Sequence, residues 1–85
     1  MSYSVYILYS PGFDKYYIGQ TQDVGARLQR HNHRMEKATT PYVPWELVGV
    51  LEKPTRSEAM ALEKKLKNLN RERLKTFLAK YCSGG

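Results

Sequence analysis

The sequence predicts a small α/β sandwich, a three-stranded sheet flanked by helices in the order β-β-α-β-α-α. Three observations predict it. Residues 3–9, Tyr-Ser-Val-Tyr-Ile-Leu-Tyr, are β-branched and aromatic and alternate loosely. Thr55-Arg-Ser-Glu58 is a capping box ahead of a helical apolar period. The 85 residues suffice for one domain, 1–85, with no internal repeat or linker.

Taking the elements in order, the first strand places Tyr3, Val5, Ile7 and Tyr9 on one face and Tyr6 and Leu8 on the other. Ser10-Pro11-Gly12 is a turn signal, and a second strand follows at Tyr16–Gly19. So short a connection implies an antiparallel hairpin with Tyr6 and Tyr17 near each other on one face. Thr21 or Asp23 caps a helix over about 23–34. Residues 35–44 carry two prolines and read as a loop. Trp45 to Leu51 reads as a third strand burying Leu47, Val48 and Val50. Helices then run over about 56–68 and, capped by Asn70, to about 81, the last with the stripe Leu74, Phe77, Leu78, Tyr81.

Composition narrows the function. With 41% hydrophobic and 26% charged residues the chain folds. Fourteen Lys+Arg against eight Asp+Glu give a net charge of +6, which suits a polyanionic partner. The one cysteine, Cys82, excludes an internal disulfide and a CxxC-type zinc site, and implies a cytoplasmic setting. No apolar run reaches the roughly 18 residues of a membrane span, and the N-terminal stretch lacks a signal-peptide pattern.

Polar groups interrupt two apolar stripes. In the first helix the inward positions are Val24, Arg27, Leu28 and His31; in the second they are Ala59, Leu62, Glu63 and Leu66. A carboxylate on a buried face is costly unless paired or bound to a metal. Glu63 therefore either pairs with Arg27 or holds a cation. With Tyr6 and Tyr17 the three polar residues form a set suited to cutting a phosphodiester. A carboxylate can hold one hydrated Mg²⁺, a guanidinium can bind non-bridging oxygens, and a tyrosine near cations can act as a base.

In order and spacing, Val5-Tyr6, ten residues, Tyr17-Ile18-Gly19, then Arg27, His31 and Glu63 resemble the GIY-YIG nuclease domain, in particular its small stand-alone bacterial members. The resemblance runs from about Tyr3 to about Leu78. Two departures stand out: Ser4 replaces the first glycine, and Asn68 and Asn70 come sooner than the asparagine many active members carry. The resemblance implies a fully antiparallel sheet and a DNA endonuclease using one Mg²⁺ or Mn²⁺ ion. By family role Tyr6 and Tyr17 flank the scissile phosphate and one of them is the base, Arg27 contacts the phosphate, His31 lies near the nucleophile, and Glu63 binds the metal. Gly19 is expected to let the strand end approach the helix closely.

Ten of the 14 basic residues fall in two stretches, one from Arg27 to Lys37 on or just after the first helix and one from Lys64 to Lys75 spanning the last two helices. Arg30, Arg34, Lys37, Lys64 and Lys67 from these stretches are the candidate nucleic-acid contacts. Cations supply affinity but no sequence preference, so structure- or damage-directed cleavage is expected. The substrate is expected to be DNA, with RNA possible, without a membrane role. A non-cleaving binding module, or a subunit of a larger repair complex, is the alternative.

Overall fold

The computed structural model describes residues 2–81, so Cys82 lies outside the described residues. Strands β1 (Tyr3–Ser10), β2 (Lys15–Thr21) and β3 (Glu46–Lys53) form one antiparallel sheet in the order β2-β1-β3. Helix α1 (Val24–Asn32) follows β2, and α2 (Arg56–Lys67) and α3 (Arg71–Tyr81) follow β3. This is the predicted α/β sandwich and element order. The segment expected to be a plain loop contains a short 3₁₀ turn, Thr40–Tyr42.

β1 is central because both of its faces are apolar. Val5 and Ile7 pack with Ile18, Ala59, Leu66 and Leu74 on the α2/α3 side. Tyr6 and Leu8 pack with Trp45, Tyr17, Val24 and Leu28 on the α1 side. The strand's alternation thus divides the molecule into two cores.

The caps fix the helix starts. Asp23, not Thr21, accepts from the Ala26 amide at 3.0 Å; Thr55 accepts from Glu58 at 3.2 Å; and Asn70 accepts from Arg73 at 2.8 Å. α1 stops two residues before the expected Arg34, whose φ of 61° is incompatible with a continuing helix. The Asn32 side chain then donates to the Trp45 carbonyl (3.0 Å) and accepts from its amide (2.6 Å), joining the helix end to the approach of β3.

Three burial expectations are corrected. Leu47 and Val50 are 40% and 41% exposed. They face the α1 side of the sheet, as their partners Leu8 and Tyr6 do, but the α1-side core gathers over β1 and β2 and does not include them. A register shift between Ile7 and Leu8 leaves Val48 against the α2/α3 core. Tyr81, at the end of the α3 stripe, is 60% exposed; its ring lies on Phe77.

Candidate active site

The hairpin register sets the first part of the site. Ser10 pairs with Lys15 across the turn, so Tyr6 falls opposite Gly19 and Leu8 opposite Tyr17. Tyr6 and Tyr17 therefore share a face, with ring centroids 6.3 Å apart. The Tyr6 ring lies across Gly19: a Cβ there would stand 2.6 Å from the Tyr6 hydroxyl oxygen and 2.7 Å from Cζ. The glycine makes room for this tyrosine, and the expectation that it admits a helix is corrected.

His31 comes to the same place from α1. It is fully buried, with its ring 4.9 Å from that of Tyr17 and 5.8 Å from that of Tyr6. Tyr6 Oη and His31 Nε2 are 3.0 Å apart, and His31 Nδ1 is 2.8 Å from Thr39 Oγ1. The Thr39 hydroxyl also lies 3.3 Å from the Glu36 carbonyl, which takes the Thr40 hydroxyl at 2.8 Å as well. The chain runs in one of two senses: with the proton on Nδ1, Thr39 accepts and Nε2 takes the Tyr6 hydroxyl proton; with the proton on Nε2, both bonds reverse. Trp45 Nε1 donates to the Thr39 carbonyl at 2.9 Å and fixes the far end of the chain.

The electrostatics keep the ring in its neutral form, where one nitrogen donates and the other accepts. Burial pushes the His31 imidazole below its ordinary pKa, outweighing the attraction of Glu36, while Arg27 and Arg30 depress it further. The ring is therefore neutral at neutral pH. Burial raises the Tyr6 phenol well above its usual value, helped by Tyr17, Glu36 and Glu63 and opposed by Arg27. Tyr6 is thus a protonated phenol hydrogen-bonded to a neutral imidazole.

Arg27 is half-buried at the rim of the α1 face, with Nη1 3.6 Å from Glu36 Oε1, and Arg30 reaches the same oxygen at 3.1 Å. Glu63 does not pair with Arg27. Its side chain is 19% exposed, and its Oε2 lies 2.7 Å from Lys67 Nζ. Both Arg27 and Glu63 act electrostatically on Tyr6. The structure therefore places Tyr6, Tyr17 and His31 in contact, and sets Arg27 and Glu63 around them as separate charges.

Glu63 lines a cavity of about 550 Å³ with Gln20, Met60, Lys64, Lys67 and Asn68. Among the described residues there is no group of three His, Cys, Asp or Glu side chains to hold a metal. The oxygens at hand are one carboxylate and the amides of Gln20 and Asn68, in a space wide enough for water. That donor set fits a hard, largely hydrated divalent cation such as Mg²⁺. Of the other candidate nucleic-acid contacts, Arg34, Lys37 and Lys64 are exposed. Lys67 is instead engaged by Glu63.

The geometry can be set beside known proteins. A family model described as the GIY-YIG catalytic domain matches residues 2–77. The chain belongs to the GIY-YIG family. The solution structure of the UPF0213 protein BH0048 from Bacillus halodurans is similar at 29% identity, covering 99% of this chain and 89% of that one, with a TM-score of 0.65. No curated protein matches. The GIY-YIG domain is a nuclease-type fold whose family acts on DNA, generally as endonucleases that use a divalent metal.

Two contributors to this GIY-YIG site have no signature in the sequence. Glu36 and Thr39 lie in the proline-bearing segment after α1, where no periodicity marks a side chain as inward. Thr39 is 1% exposed and orients His31; Glu36 holds Arg27 and Arg30.

Proposed function

We propose that this protein is a divalent-metal-dependent endonuclease that hydrolyses DNA phosphodiester bonds, directed by substrate structure or damage, with little sequence preference. The observation that carries the reading is the hydrogen-bonded chain from Tyr6 Oη through His31 to Thr39, which in the Nδ1-protonated tautomer offers the phenol proton an open Nε2. A tyrosine has a reference pKa near 10 and is a poor base unless its own proton has somewhere to go. Here it does.

Tyr6 accepts the proton of the attacking water and passes its own to His31 Nε2, while Thr39 holds the ring in the tautomer that can receive it. Tyr6 is 1% exposed, so the water enters beside Tyr17, the half-buried tyrosine on the same face. Arg27 donates to the non-bridging oxygens of the phosphate, where negative charge grows as the water adds. Its 3.6 Å separation from Glu36 leaves its donors available. Glu63, with Gln20 and Asn68 beside it, would hold the cation. Such an ion supplies charge neutralisation at the phosphate and at the departing oxygen. Arg30, Arg34, Lys37 and Lys64 supply the field that draws the backbone in, and its effect fades with salt.

The same reading places the protein in the cytoplasm, alone or within a larger repair complex. Branched, nicked and single-stranded DNA incubated with Mn²⁺ tests it, comparing the wild type with Glu63→Gln. Cleavage lost in the variant supports the nuclease. Equal inertness of both on every substrate, with salt-sensitive binding kept, would establish a non-cleaving module instead.

A further inference from the structure

Glu63 is the carboxylate to which the metal role falls, yet it is already neutralised. Lys67 stands four residues on, in the helical orientation that favours a Glu-to-Lys pair, and its ammonium is 2.7 Å from Oε2. A divalent cation and this ammonium need the same oxygens. Lys67 has a second outlet. Besides the Glu63 cavity, it lines a neighbouring one of about 410 Å³ between β2 and the α2–α3 junction, where Lys15, Tyr17 and Arg71 also lie. Its side chain is 51% exposed, so moving from one cavity to the other meets little packing.

We propose that Lys67 is a counter-ion switch for Glu63. In the resting protein it occupies the carboxylate; a divalent cation displaces it, and the freed ammonium turns into the cavity beside Lys15 and Arg71 to meet a phosphate oxygen of the nucleic acid. Lys67 is thus a positioning residue that weakens metal binding in the absence of substrate. Cation and phosphate then bind with mutual support, since each satisfies one partner of the broken pair. The inference rests on the reading of Glu63 as the metal ligand.

The test is the affinity of the full-length protein for Mn²⁺ alone, measured from the electron paramagnetic resonance signal of the free ion. Lys67→Gln removes the competing charge at an exposed helix position and should tighten Mn²⁺ binding by about two- to fivefold, the range set by a helical ion pair of this exposure. Lys67→Arg keeps the charge and should bind as the wild type does. Unchanged or weaker binding in Lys67→Gln, or equal tightening in Lys67→Arg, overturns the switch. Glu63→Gln separates the two claims: if it binds Mn²⁺ like the wild type, the metal-ligand assignment itself fails.

Discussion

Gly19→Ala is the smallest change that addresses the whole Tyr6 arrangement. The added Cβ would stand 2.6 Å from Tyr6 Oη and 2.7 Å from Cζ, well inside van der Waals contact. The neighbour is the stiff end of a fully buried aromatic ring, so it cannot yield like the tip of a lysine. Moving it by the missing ångström breaks the 3.0 Å bond to His31. Overpacking of this kind costs about 1–3 kcal/mol. For a domain of this size each kcal/mol corresponds to roughly 4–8 °C in Tm, so a fall of at least about 4 °C is expected by circular dichroism. Displacement of a reacting group by about 1 Å also lowers the single-turnover cleavage rate by on the order of 10²-fold. In a Tyr6→Phe background the same alanine costs less, because the hydroxyl contact is gone, but not nothing, because the Cζ contact remains. A Gly19→Ala protein with the Tm and cleavage rate of the wild type would refute the reasoning.

Three further outcomes follow from the same geometry. Thr39→Val keeps the shape but removes the hydroxyl bonded to His31 Nδ1; it should cost about 1–3 kcal/mol in chemical denaturation and slow cleavage as the ring loses the partner that fixes its tautomer. Because burial lowers the His31 pKa, unfolded chains bind a proton below about pH 6.5 that the folded protein refuses. Stability should therefore decline from about pH 6.5 until the folded imidazole also protonates. Cleavage should persist below pH 6.5 and fall only at that lower point, as read from a pH–rate profile. Asp14, held below the usual carboxylate range by the Tyr9 hydroxyl and then by Arg71, ties the β1–β2 turn to α3. Asp14→Asn should lower Tm at neutral pH and make no difference once acid has protonated the native carboxyl.

How much of this was legible depends on whether a property is local. The helices were, because Asp23, Thr55 and Asn70 carry their signals within three residues of the amides they cap. β1 was, because alternation along one strand assigns both faces. Arg27, His31 and Glu63 stood out as polar breaks in apolar stripes. The burial of β3 was not legible, since the exposure of Leu47 and Val50 depends on which half of the sheet α1 covers. Nor was the Tyr6–Gly19 contact, which needs the hairpin register and not merely its existence. Thr39 and Glu36 were invisible for a third reason. They act through a loop whose path is fixed by the Asn32–Trp45 bonds, and loops carry no period. The resemblance to the GIY-YIG domain rested on the two tyrosine motifs together with these breaks, and the structure adds what orients them.

The central claim is that a tyrosine backed by a neutral histidine carries metal-dependent cleavage, and one measurement bears on it most directly. Branched or nicked DNA is cut under single-turnover conditions in Mn²⁺ by the wild type and by Tyr6→Phe, with Tm recorded for both. The account predicts cleavage by the wild type and a rate at least about 10²-fold lower for a Tyr6→Phe protein that remains folded. Equal rates for the two proteins would contradict it.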